Sequence, residues 1–210
     1  MDIQIRFSRS EDLERMLEIQ ACSLRILSPS YDSTQIESLV RSQKSIRLLS
    51  DELKVVAEYK NEIIGFASWM NSIPLINIMP QIAGIYVHPE FTRQGVGKRL
   101  LEFIEKTVIS RGNEVMHVMS SMDAVNFYQA AGYRLVRESG FPSEGKVWVP
   151  CKYLVKRLVV VTKTQRVGRL IRFLKTVLKS VTSFLLIEFV YHFIAGFIVF
   201  TAIFLIKHLF

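Results

Sequence analysis

Gly84-Ile85-Tyr86-Val87-His88-Pro89-Glu90-Phe91-Thr92-Arg93-Gln94-Gly95-Val96-Gly97-Lys98-Arg99-Leu100-Leu101 reads as an apolar strand, a glycine-bearing turn and the start of a basic helix. Gly95 and Gly97 let the backbone approach an anion closely. The free N–H groups of a helix first turn point at such an anion with the positive end of the helix dipole behind them. The stretch therefore proposes a cradle for a phosphate-bearing cofactor. A lone strand-Gly-x-Gly-helix is as often plain turn chemistry, so the reading needs a second signal.

Downstream, Ser121-Met122-Asp123-Ala124-Val125-Asn126-Phe127-Tyr128-Gln129-Ala130-Ala131-Gly132-Tyr133 reads as an amphipathic helix that ends at a glycine and enters a strand. In this order and spacing the two motifs resemble the GNAT acetyltransferase superfamily, over residues 1–158. The resemblance implies an α/β domain with a mixed, mostly antiparallel sheet flanked by helices, and acetyl-CoA as acyl donor. It implies that backbone groups around Ile85, Tyr86 and Val87 hold pantetheine, and that the turn of Arg93, Gln94, Gly95, Val96, Gly97 and Lys98 cradles the pyrophosphate. Ser121 opens the second motif, and Tyr128 matches the tyrosine that the family places near the thioester sulfur, where it protonates the departing thiolate. Two residues depart from the pattern. Thr92 stands where Gln or Arg is usual, with Arg93 beside it to supply the contact, and Ser121 stands where Asn is common.

The remaining chain is consistent with such a domain. Ile3 to Phe7 alternates as a strand, and Ser8 to Asp12 leads into a helix with Leu13, Met16, Leu17 and Ile19 as its apolar positions. A loop over Leu27 to Ser33 and a helix near Thr34 to Arg41 follow; by resemblance this helix-loop-helix region shapes the acceptor pocket, and ordinary packing is its other reading. Leu53 to Tyr59 and Ile63 to Met70 read as a hairpin around Lys60-Asn61-Glu62, and Gln81 to Val87 as the next strand. The pattern then predicts a helix over Gly95 to Ser110, a strand over Glu114 to Ser120, a helix over Asp123 to Ala131 and a strand over Tyr133 to Arg137. A loop with Gly140, Pro142 and Gly145 precedes a last strand from Val147 to Lys156.

Two histidines and two cysteines are weighed against bland readings. His117, in a strand, reads first as a hydrogen-bonded structural residue, and His88, before Pro89, as a residue that sets backbone geometry. Neither is assigned a catalytic role. Cys22 and Cys151 fit no metal spacing and read as reduced core residues of a cytosolic domain. The acceptor ammonium, with a pKa of about 10, must lose its proton before attack. No residue identifies itself as the base. The acceptor reads only as an amine on a small molecule or a peptide.

The charge is divided unequally. The chain has 27 Lys and Arg against 19 Asp and Glu, a net charge of +8; residues 159–210 hold 7 of the basic residues and a single acid, Glu188, and so carry +6 of it. Phe184 to Ile206 is apolar for about 35 Å of helix, enough to cross a hydrocarbon core of about 30 Å. Lys163, Arg166, Arg169, Arg172, Lys175 and Lys179 recur every three or four residues before it, with apolar residues between. This pattern predicts a basic amphipathic segment over 159–180 on an anionic lipid surface and a transmembrane helix over 181–210. The positive flank places the catalytic domain on the cytoplasmic side, and Met1 to Gln20 lacks the apolar run of a signal peptide. Nucleic acid is the disfavoured reading of the basic stripe, since Phe173 is its one aromatic residue. Glu188 and His192, four residues apart on one face, suit either self-association through the span or a hydrated interface position. A membrane-anchored N-acetyltransferase is the leading reading; a catalytically silent CoA-binding module that positions a membrane partner is the alternative.

Overall fold

The computed structural model describes residues 1–49, 52–70 and 79–159. The chain divides into two units, Met1–Val160 and Val161–Phe210. The predicted amphipathic segment and span, with Glu188 and His192, lie outside the described residues. Among the described residues no helix is long and apolar enough to cross a membrane.

Seven strands form one sheet: β1 (Gln4–Phe7), β2 (Leu53–Tyr59), β3 (Glu62–Met70), β4 (Gln81–Val87), β5 (Val115–Ser120), β6 (Arg134–Pro142) and β7 (Trp148–Arg157), in the spatial order β1-β2-β3-β4-β5-β7-β6. Every neighbouring pair is antiparallel except β4 and β5. The expected mixed, mostly antiparallel sheet is the one observed. α1 (Leu13–Leu27) and α2 (Ser33–Leu49) join β1 to β2, α3 (Val96–Ser110) joins β4 to β5, and α4 (Val125–Ala130) joins β5 to β6. α3 buries Val96, Leu100, Leu101, Ile104 and Val108, an apolar stripe at helical spacing, in the main core beside Ile82, Met116, Val118 and Leu154. α1 sets Met16 and Ile19 against Val56 and Phe66 in a separate cluster.

Local chemistry explains most boundaries. Asp32 caps α2 reciprocally: the Gln35 N–H donates to Asp32 Oδ1 at 2.8 Å, and the Asp32 N–H donates to Gln35 Oε1 at 3.1 Å. α2 runs on to Leu49, past the expected Arg41, because no Gly or Pro follows to stop it. The β2–β3 turn contains two residues rather than three. Lys60 and Asn61 both adopt positive φ, 50° and 63°, and Tyr59 already faces Glu62. That handedness matches the twist of the flanking strands.

The largest departure is the β6–β7 hairpin, where Gly140 and Pro142, expected in a loop, lie in β6. A Cβ on Gly140 would come within 2.4 Å of Trp148 Cζ2, so the glycine makes room for an indole lying across the strand. Pro142 ends a strand at the sheet edge, where no ladder N–H is required of it. Cys151 is buried as expected, whereas Cys22 is only half-buried. The carboxylate of buried Asp12 accepts from Arg6 Nη1 at 2.6 Å, fastening β1 to the start of α1, and this hydrogen bond holds its pKa below the ordinary value.

Candidate active site

β4 and β5 begin as paired neighbours and then part. Their register contains two pairs, Gln81 with His117 and Ile82 with Val118. The cause lies on the other side of β4. Ser68 of β3 faces Gly84 while Trp69 faces Ile82, so Ala83 is an extra residue, a β-bulge that bends β4 where pairing with β5 stops. Beyond it the His88 N–H donates to Ile64 O at 2.9 Å. By the alternation of an antiparallel ladder, Tyr86 also turns its N–H and C=O towards β3, whereas Ile85 and Val87 turn theirs towards the gap. The gap therefore has one wall of main-chain donors and acceptors, a ready partner for an extended amide-bearing chain. Of the three backbone positions expected to serve pantetheine, Ile85 and Val87 have that aim, and Tyr86 offers its side chain instead.

At the carboxyl end of β4 the chain makes the expected turn. Gly95, the N-cap of α3, has φ 83°, and the helical Val96 follows. A left-handed residue followed by a right-handed one aims successive N–H groups into one concavity. The first intrahelical bond there is from the Arg99 N–H to Gly95 O at 3.1 Å, which leaves the Val96, Gly97 and Lys98 N–H groups facing outward from the first turn. Nothing lies within 4 Å of a Cβ built on Gly95, so the glycine answers to backbone hand; a Cβ on Gly97 would touch Phe127 at 3.5 Å and Val87 at 3.8 Å. Close packing sets the height of the turn. A Cβ on Gly65 of β3 would approach Tyr86 O to 3.0 Å and Val96 Cγ1 to 3.2 Å, so the glycine lets the first turn of α3 lie directly on the sheet.

The side chains of this turn divide by what they already bind. The Thr92 hydroxyl donates to Pro89 O at 2.8 Å and Gln94 Nε2 to Glu90 O at 3.0 Å, so both brace the loop. Arg93, at φ 62°, is exposed, and Lys98 is exposed with Glu102 as a 4.0 Å neighbour; both are disposed for an anion. Arg99, the other basic residue here, is not. Its guanidinium donates to Ile3 O at 3.2 Å and Met1 O at 3.5 Å, tying α3 to the N-terminal segment.

On the β5 side the chain continues through Ser121, half-buried and extended at φ −56° and ψ 157°, into a short 3-10 turn and α4. Tyr128 of α4 is buried at 4% exposure, its ring edge-on to Phe127 at 5.0 Å and to Tyr133 at 5.5 Å. Burial, and after it the charge of the Tyr86 phenol, push its pKa above the ordinary 10.0. Tyr86 stacks on Phe66 on the α1 side of the sheet, while Tyr128 belongs to the core beneath α3.

A family model described as "Acetyltransferase (GNAT) domain" matches residues 28–155. The chain belongs to the GNAT acetyltransferases. It is 25% identical over 152 residues to a spermidine N(1)-acetyltransferase of Thermoplasma acidophilum, an alignment covering 69% of this chain and 91% of that one. Among solved structures it is similar in fold to a GCN5-related N-acetyltransferase from Rhodopseudomonas palustris, with TM-score 0.67 and 24% identity over 75% of this chain and 96% of that one. It is also similar to a PaiA N-acetyltransferase from Thermoplasma acidophilum in complex with coenzyme A, with TM-score 0.57 and 23% identity over 75% and 99% of the two chains. The protein is a GNAT-type N-acetyltransferase, and its acyl donor is acetyl-CoA.

In this GNAT domain the gap and the Gly95–Gly97 turn are continuous. β4 ends at Val87, the chain loops through the 3-10 turn Pro89–Phe91, and Gly97 returns against Val87, so one extended ligand can run along the strand and end in the cradle. The histidines take the structural places expected for them. His88 closes the ladder on Ile64, and His117 Nδ1 shares a short hydrogen bond with the Tyr153 hydroxyl while burial lowers its pKa. Two tyrosines escaped the sequence reading. The Tyr86 side chain was hidden behind its main-chain role, and Tyr31 sat in a stretch read as loop; its one sequence signal is an aromatic residue among Ser, Pro and Asp.

Proposed function

We propose that the chain transfers the acetyl group of acetyl-CoA to an amine by direct attack within a ternary complex, with the catalytic domain held at the cytoplasmic face of a membrane by its C-terminal segment. The observation that carries the transfer is the wall of backbone groups on Ile85 and Val87, turned away from β3 and unpaired among the described residues, leading towards the first turn of α3. The Gly95–Lys98 backbone, with Arg93 and Lys98, neutralises the pyrophosphate. Main-chain N–H groups on the gap side of β4 stabilise the carbonyl oxygen as it becomes negative, fixed dipoles that need no reorganisation during the reaction. Tyr128 gives its proton to the departing sulfur. Its raised pKa keeps that proton in place at working pH, and the same shift makes donation harder until a thiolate is beside it.

The relative named for spermidine N(1)-acetylation points to an aliphatic polyamine as the first acceptor to try. Acetyl-CoA turnover against a panel of polyamines, aminated sugars and peptide N-termini tests the assignment. Turnover confined to one class defines the acceptor, and none with any amine, despite acetyl-CoA binding, restores the silent-module reading. The membrane part rests on the apolar run Phe184–Ile206 and the basic residues Lys163 to Lys179, which imply contact with anionic lipid and allow self-association through the span. The full chain is expected to stay with membranes in alkaline carbonate, and a chain ending at Leu158 to be soluble. Carbonate release of the intact chain reduces the segment to a peripheral helix, and protease protection of the domain in sealed inside-out vesicles reverses the orientation.

A further inference from the structure

The loop between α1 and α2 is fastened to the β5 side of the gap by one hydroxyl. Tyr31 is buried at 6% exposure, beside Leu24, Leu39 and Val149, with Tyr86 packed against the same cluster. Its hydroxyl donates to Pro150 O at 2.7 Å and accepts the Met122 N–H at 3.0 Å. Both partners are main-chain groups, one on the segment that leaves β5 and one on β7, which flanks β5 on the side away from the gap. Met122 follows Ser121, where the chain leaves β5, and Pro150 lies in β7 two residues before Lys152, which faces Ser120 in the last β5–β7 pair. A second link runs alongside: the Ser30 hydroxyl and N–H donate to the Asp123 carboxylate at 2.6 and 3.3 Å.

Two adjacent parallel strands already in register gain hydrogen bonds by continuing to pair. Opposing this, the bulge at Ala83 bends β4 away, and Tyr31 tethers the exit of β5 to β7. We propose that Tyr31 is a positioning residue for acetyl transfer: its hydroxyl holds the Ser121–Met122 segment back from β4 and couples the α1–α2 loop to the helix that carries Tyr128. The inference rests on reading the gap as the acetyl-CoA site and the α1–α2 loop as a wall of the acceptor pocket. It assigns Tyr31 no contact with the reacting atoms. The pyrophosphate cradle, at the turn into α3, takes no hydrogen bond from Tyr31, whose hydroxyl is used by Pro150 O and the Met122 N–H.

Tyr31→Phe in the full-length chain keeps the ring and removes both hydrogen bonds. Amide exchange at Met122, measured without ligand, is expected to rise about tenfold, as befits a lost partner on a half-buried N–H, with faster exchange also over residues 28–33. With spermidine as acceptor probe, kcat is expected to fall about tenfold and the acceptor KM to rise, while calorimetric acetyl-CoA affinity stays within about threefold. Ser30→Ala, which cuts the parallel link at an exposed residue, should move the same quantities by less. A purely structural role lowers Tm and leaves the split between kcat and acetyl-CoA affinity untouched, and that result overturns the proposal. Unchanged exchange at Met122 overturns it as well. The exchange arm needs no ligand, so a wild-type chain that fails to bind acetyl-CoA, with Met122 responding as expected, supports the tether and refutes the cofactor reading instead.

Discussion

The junctions β4–α3 and β5–α4 have the same plan, a parallel strand running into a helix on the same side of the sheet, yet they are finished in opposite ways. The first leaves its N–H groups open. Gly95 is left-handed, the side chains of Thr92 and Gln94 fold back on the loop, and the Val96, Gly97 and Lys98 amides face outward. The second is closed by the protein itself: the Tyr31 hydroxyl takes the Met122 N–H, and the six-residue α4 places an aromatic side chain instead of a dipole. An open sheet binds ligands at the carboxyl ends of its strands, and in the proposed mechanism two neighbouring ends divide the work, one for charge and one for proton transfer. Similar topology, therefore, does not imply similar chemistry; what satisfies the first turn decides it.

The sharpest way to break this contrast is at Tyr128. Tyr128→Phe keeps the ring in its packing and removes the donor, so the chemical step should slow by about 100-fold while acetyl-CoA affinity changes little. Single-turnover kinetics read that step without interference from product release. Because burial and the Tyr86 phenol raise the Tyr128 pKa, the protonated form persists above the ordinary 10.0. The wild-type chemical step should accordingly show no alkaline fall from this group at or below pH 10.0; a fall there, absent in the phenylalanine variant, would mean that the tyrosine is far better solvated than its burial implies.

The open junction should respond in the complementary sense. A Cβ at Gly97 meets Phe127 and Val87 at ordinary contact distance, so Gly97→Val presses its γ carbons against those side chains and shifts the turn that forms the concavity. Acetyl-CoA affinity is expected to weaken by about 30-fold, the value of one or two charge-assisted hydrogen bonds, with the chemical step at saturation nearly intact. Wild-type affinity by calorimetry in a folded variant removes the cradle from β4–α3.

The smallest expected effect belongs to the exposed cations. Lys98→Ala or Arg93→Ala should weaken acetyl-CoA binding by about threefold at low salt and by less at high salt, since solvated charges are screened. A loss as large as that of Gly97→Val would shift the weight of phosphate binding from main chain to side chains.

Much of the first junction was legible in the sequence, because everything it needs is local. A glycine able to take φ 83°, an apolar stripe at helical spacing and a strand ahead of it all lie within Gln81–Ser110. Gly65 was visible inside a strand but without a reason; the reason is that α3 rests on it. Turn signals misled at Gly140 and Pro142, whose places in β6 depend on Trp148 and on the strand's position at the sheet edge.

The sequence by itself determined the two motifs, their order, the family they belong to and the periodicities of α1 and α3, since each depends on residues a few positions apart. Only the tertiary structure decided that Ala83 is a bulge, that β4 and β5 part after two pairs, that Arg99 faces away from the turn, that Tyr31 ties the exit of β5 to β7, and that Tyr128 is buried in the core beneath α3. Those facts are relations of register and approach between distant positions, such as Gln81 with His117 or Tyr31 with Met122. No local propensity encodes them, because a one-residue change of register would turn each side chain to the other face of the sheet.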